Sequence, residues 1–308
     1  MWQISPDLRL TGATGRDVLN AAAMTRVAIC APSAPFSRED AAAVCALAAA
    51  HYPGITLSFH EQCFASEGHF AGPDALRLGA FLDCANDPAC DAVWFARGGY
   101  GAVRIAADVV AGLGSGHRAG QGAIARAKAY LGYSDAGTML AALAAARIGQ
   151  PVHAPMPADI RRVGGEAAVL RTLGWLAGEQ GGLEPSLDET PAAAFNLMTL
   201  AMLAGTPLMP DLSGHVVMIE EVSEYLYAVD RLLFHVTAHL GPMGIAGLRL
   251  GRISDVPEND RPFGAEPEEM VRHWCARSGI RYLGRADIGH DTMNKIVPFG
   301  LATRRAGA

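Results

Sequence analysis

The first half of the chain alternates short, almost wholly apolar runs with Ala- and Leu-rich helical runs, and few architectures accept that order. Residues 26–31 (RVAICA), 55–60 and 92–96 (AVWFA) read as buried strands, and 130–132 as a short strand end. Arg38–His51, 74–85 and about 136–147 read as helices. A strand that is apolar on both faces must be covered on both. With connections of only a few residues, this predicts a parallel sheet carrying helices on its two sides. Ligands in such sheets gather at the carboxyl ends of the strands.

Length divides the chain further. At 308 residues it exceeds the roughly 250–300 at which a single core stops growing. Two domains are expected, an N-terminal α/β domain over 1–164 and a C-terminal domain over 188–308. The stretch 165–187, with GEQGG at 178–182, Pro185 and a helix at about 166–177, is read as their connection. Beyond it come a helical or mixed run at 195–203, a strand at 215–221, a helix at 228–239 and a late strand at 280–283. No period of 20–50 residues recurs, which disfavours a solenoid.

Composition removes several function classes. Half the residues are hydrophobic and only 18% are charged, so disorder is excluded. With 31 acidic against 25 basic residues, the net charge of −6 supplies no field for a phosphate backbone, and no nucleic-acid partner is expected. The opening MWQISPDLRL lacks the basic and apolar regions of a secretory leader, and no apolar run approaches the ~18 residues of a membrane span. A cytoplasmic protein without a membrane partner is expected. Cys30, Cys45, Cys63, Cys84, Cys90 and Cys275 show no C-x-x-C pair and no ligand-like spacing to histidine, so they read as free or buried thiols rather than a metal site.

Four segments could carry chemistry. FARGGYGAVR (95–104) sets two glycines directly after a strand, where backbone N–H groups can face a ligand or the chain can simply turn; it matches neither a P-loop nor G-x-G-x-x-G. LGYSDAGT (131–138) sets Ser134 between a strand end and a helix, as a nucleophile elbow does, although Ala136 stands where G-x-S-x-G has its last glycine. There the N–H of Asp135 would face a developing oxyanion; alternatively, Ser134 or Asp135 only caps the helix. IEEVSEYLYAVDR (219–231) ends a strand in Glu220 and Glu221. Alternation turns one inward and the other outward, unless both belong to a solvated strand end with Glu224 and Asp230 in surface pairs. RADIGHDTMNKIVPFG (285–300) places His290 in a polar Gly-His turn.

In that order and at those separations, these segments resemble the LD-carboxypeptidase family, whose branches act on murein tetrapeptides or on microcin C. The resemblance extends through RVAICAPSAP (26–35), HFAGPDALRL (69–78), HAPM (153–156) and AGTPLMPDLSGHVVMIEE (204–221). It implies a parallel-sheet α/β sandwich domain followed by a smaller β-rich domain, commonly in a homodimer. It further implies Ser134 as nucleophile, Glu220 as supporting carboxylate and His290 as base, with no metal or organic cofactor. The oxyanion would be held by the N–H of Asp135 and that of Gly98 or Gly99, with Gly99 preferred. Arg97 or Arg104 would receive the terminal carboxylate of a murein-derived peptide or related amide, though Arg97 serves equally well as a brace for loop carbonyls. Departures fall close to the site: AAAFNL (192–197) lacks the family's glycines before Asn-Leu, Glu221 stands for Asp, and Ala136 and Gly137 stand for Ile/Thr-Thr. A non-catalytic module that binds a small ligand on the Gly-rich turn is the reading of a different class.

Overall fold

Residues 24–114, 121–258 and 260–301 are described by the structure, a computed structural model; the opening decapeptide read for a leader lies outside them. The N-terminal half runs β1 (Thr25–Cys30), α1 (Arg38–His51), β2 (Ile55–Phe59), α2 (Asp74–Asn86), β3 (Ala92–Phe95), α3 (Ala102–Gly114), α4 (Gln121–Arg126), β4 (Ala129–Gly132), α5 (Gly137–Ala145), β5 (Gln150–His153) and α6 (Gly165–Leu176). There follow β6 (Ala192–Asn196), α7 (Leu197–Leu203), β7 (Val216–Val222), α8 (Leu226–Met243), β8 (Gly247–Ser254), α9 (Pro267–Arg277), β9 (Tyr282–Arg285) and β10 (Val297–Pro298).

The larger sheet has the order β10-β5-β4-β3-β1-β2. Its first five strands in the chain pair in parallel, and only β10 runs antiparallel, against β5. The apolar runs divide by parity between two cores. Ala28, Cys30, Val93, Phe95 and Tyr130 pack beneath α2, α3 and α5, whereas Val27, Ile29, Trp94, Leu131 and Val152 pack beneath α1 and α6. Such burial on both faces is why these strands read as unbroken hydrophobic stretches. Ser37 caps α1, its side chain accepting the Asp40 N–H at 3.0 Å.

The smaller sheet, β6-β7-β8-β9, is parallel throughout. Its Phe195, Val217, Ile219, Leu248 and Leu250 meet α7, α8 and α9. The opposite face, with Ala192, Ala194 and Met218, meets Ala286, Ile288 and Val297 of the chain's returning end. That return ends in β10, so the last described strand completes the N-terminal sheet. Among the described residues, no helix is long and apolar enough to cross a membrane.

Candidate active site

Ser134 follows β4 at the carboxyl end of the larger sheet, with φ of 60°, a left-handed conformation that few residues other than glycine adopt. This strand-to-helix turn lifts the side chain out of the sheet toward the loop after β3. That loop contains Gly98, and a Cβ built there would lie 2.9 Å from Ser134 Cβ and 3.0 Å from its Oγ. The glycine is thus required by close approach to the serine. Gly99 next to it has φ of 108° and lines the same cleft.

Neither Ser134 nor Asp135 caps α5, which begins without a side-chain cap. The Asp135 carboxylate instead accepts the Ser33 hydroxyl at 2.6 Å and the N–H of Ala102, the first residue of α3, at 2.9 Å. Burial pushes its pKa up, against those two hydrogen bonds and the nearby Arg77. The Asp135 side chain therefore ties the serine turn to the loops after β1 and β3.

Glu220 and Glu221 are both buried. The expected alternation holds, but in an inner strand neither face is outside. Glu221, on the helix-covered face, accepts Asn196 Nδ2 and the Met198 N–H, each at 2.7 Å, and so fixes the start of α7. Glu220 turns the other way, where its Oε2 lies 2.5 Å from His290 Nδ1. No hydrogen-bond donor among the described residues reaches its Oε1. Burial by itself would lower the His290 pKa; the charge and hydrogen bond of Glu220 override it, and the value is raised from the ordinary 6.5.

The loop carrying His290 is held from several sides. Asn294 Oδ1 accepts the Gly289 N–H at 3.1 Å and contacts His153 Nε2 at 3.0 Å. Arg171 donates to the carbonyls of Thr292 and Asn294, and Arg252 pairs with Asp287 at 2.6 Å and also with Asp291. The Tyr133 ring lies 4.9 Å from that of His290, so the residue before the serine packs on the histidine.

Ser134 and His290 line one cleft of about 300 Å³ together with Arg97, Gly98, Gly99, Tyr133 and residues of the loop after β5. That loop adds Met156, Ala158, Asp159, Arg161 and Arg162, none of which the sequence singled out as site residues. Asp159 is the buried support: it accepts Tyr133 Oη and the Met156 N–H, each at 2.8 Å, and Arg162 Nε at 3.1 Å. Burial raises its pKa against these partners. The only sequence signal was the charged ADIRR run after two prolines, which by itself reads as a solvated turn. Arg97 lies on the cleft wall, whereas Arg104 does not line it. Arg104 sits on α3, half exposed, and is paired with Asp74 at 2.9 Å.

Comparison with known proteins gives this geometry its context. The family profile for the LD-carboxypeptidase N-terminal domain matches residues 27–154, and that for the LD-carboxypeptidase C-terminal domain matches 191–304. The murein tetrapeptide carboxypeptidase of Pseudomonas aeruginosa is 24% identical over 294 residues, covering 89% of this chain and 91% of that protein. In fold, the crystal structure of muramoyltetrapeptide carboxypeptidase from Oxalobacter formigenes superposes with a TM-score of 0.68 at 23% identity, covering 89% of this chain and 93% of the other. The microcin C7 self-immunity protein MccF does so with a TM-score of 0.73 at 15% identity, covering 91% and 92%. Matched in both halves by its profiles, the chain belongs to the LD-carboxypeptidase family and is a serine-type carboxypeptidase, a hydrolase.

Proposed function

We propose that the cleft hydrolyses an L,D amide and releases the terminal D-alanine of a murein tetrapeptide, with Ser134, His290 and Glu220 as nucleophile, base and supporting carboxylate. The observation that carries this reading is the 2.5 Å contact of Glu220 with His290 beside a serine in a left-handed turn, both in one cleft. A cap has no use for a buried carboxylate–imidazole pair whose histidine lines the same cleft, which disfavours the pure binding module. The names of the Pseudomonas and Oxalobacter relatives support the murein substrate.

A carboxylate only accepts, so His290 Nδ1 carries the hydrogen and Nε2 is left as the base. As Ser134 Oγ bonds to the scissile carbonyl carbon, its proton passes to Nε2, and the carbonyl electrons move onto the oxygen. Backbone N–H groups of Gly99 and Asp135 hold that oxyanion. Collapse breaks the C–N bond while Nε2 returns the proton to the departing amine. Water, deprotonated by the same nitrogen, then attacks the acyl ester; the C–Oγ bond breaks, Nε2 returns the proton to Ser134 Oγ and the acid product leaves. Arg97 takes the substrate's terminal carboxylate; Arg104, committed to Asp74, does not. In this reading the N-terminal domain supplies the serine and the C-terminal domain the other two groups; the boundaries shift from 1–164 and 188–308, because α6 packs on the N-terminal sheet instead of merely connecting the halves, and β10 returns to that sheet. The enzyme works as a cytoplasmic homodimer on recycled murein peptides.

Incubation with L-Ala-γ-D-Glu-meso-diaminopimelate-D-Ala should release free D-alanine; an intact peptide after prolonged incubation with folded protein would reject the substrate. The pH profile follows from His290. It must be neutral to accept the serine proton, and its pKa is raised, so kcat/KM should climb through a midpoint above pH 6.5. A midpoint below that value would contradict the influence of Glu220.

A further inference from the structure

Positive charge in the cleft is unevenly matched. Arg162 is engaged by Asp159, and Arg161 Nε by Asp40 at 2.6 Å. Arg97 has no carboxylate partner among the described ion pairs, and its Nη1 donates only to the Pro35 carbonyl at 3.2 Å. Arg97 and Arg161 are moored to consecutive residues, since the Arg161 guanidinium lies 5.2 Å from the Phe36 ring centroid. They are near enough to interact: after burial, the charge of Arg161 is what most lowers the Arg97 pKa, with Asp40 opposing it. Two half-exposed guanidinium groups sharing one carboxylate leave a single positive charge without a counter-ion on the wall of the cleft that Ser134 lines.

We infer that Arg97 and Arg161 together form a subsite for one free carboxylate of the substrate, and that Asp40 sets its charge so that it accepts a single anion. The inference rests on the hydrolase reading above, in which that carboxylate belongs to the departing D-residue. This group stands two bonds from the scissile nitrogen, so it must be bound within the cleft that holds the nucleophile. Guanidinium groups suit the task because each offers a planar fork of donors to a carboxylate. Arg161 Nε is occupied by Asp40, but among the described residues its two Nη groups make no hydrogen bond and remain available. Asp40 has a second anchor in the Ser37 hydroxyl at 2.5 Å and so keeps a donor when Arg161 is changed.

The test compares the tetrapeptide with its C-terminal carboxamide, which differs only in the charge at issue. Affinity for each is measured by calorimetry on the Ser134→Ala protein, and turnover of each on the otherwise native enzyme. Arg161→Gln should weaken binding of the carboxylate peptide by about 10- to 100-fold, the loss typical of one charge-assisted contact, and weaken the carboxamide far less. Asp40→Asn should act in the opposite direction and tighten the carboxylate peptide. Equal losses for both peptides in Arg161→Gln would overturn the subsite. So would Asp40→Asn weakening binding as Arg161→Gln does, since the pair would then merely brace the wall. If the carboxylate peptide binds selectively but is never cut, the subsite stands and the proposed release of D-alanine falls. Failure to bind either peptide overturns both.

Discussion

Ser134→Ala should lower D-alanine release by about 10³-fold or more, the scale on which loss of a nucleophile is felt in a serine hydrolase. Geometry makes this substitution a clean probe. Alanine keeps the Cβ that already fits against Gly98, so no new contact is introduced there. The turn is also secured by groups other than the hydroxyl: Asp135 holds Ser33 and the start of α3 through its own carboxylate. Thermal unfolding should therefore stay close to the parent protein while turnover collapses. The residue left is a histidine and an oxyanion site that can still guide a water molecule, which is why some activity above background is expected. Release at the parental rate in a folded Ser134→Ala protein would remove Ser134 from the reaction.

How far the sequence discloses this molecule depends on how many constraints each residue serves. β1, β3 and β4 were legible because both faces are buried, which leaves no polar alternation to confuse them. β8 was not, since GLRLGRIS contains two glycines that resemble turn punctuation. In the structure they permit close packing: a Cβ on Gly251 would stand 2.7 Å from the Ile288 carbonyl and 2.9 Å from that of Ile219. β10 was illegible for a different reason. Two residues carry no periodicity, and Val297–Pro298 is a strand only because β5 offers an edge.

The candidate site shows the same division. Ser134, Glu220 and His290 could be picked out because each lies in a local motif, and their order along the chain resembled a family. Arg161 and Asp159 had no such mark; their surroundings come from Asp40, Phe36 and Tyr133, which are distant in sequence. Glu221 was misjudged by half: alternation correctly opposed it to Glu220, but whether the opposite face is wet or dry depends on α7, whose first turn it holds.

Glu220→Gln should lower turnover by about 10³- to 10⁴-fold, the loss expected when the carboxylate behind a catalytic histidine becomes an amide of the same shape. Glutamine fills the same buried space, so the cause is electronic rather than steric. An amide can turn its NH₂ toward His290, and the imidazole then answers with an Nδ1 lone pair and carries its hydrogen on Nε2. In that tautomer Nε2 cannot accept the serine proton, and the imidazolium formed during attack no longer has a carboxylate beside it. The pH profile should respond separately. With the charge of Glu220 gone, burial becomes the dominant influence on His290, so the midpoint of the acid limb should move from above 6.5 to below it even as the plateau falls. Those two movements have opposite senses, more activity retained toward acid but far less at its maximum, and general loss of structure cannot mimic them. A glutamine variant that kept the parental midpoint would show that Glu220 does not govern the histidine, whatever its effect on rate.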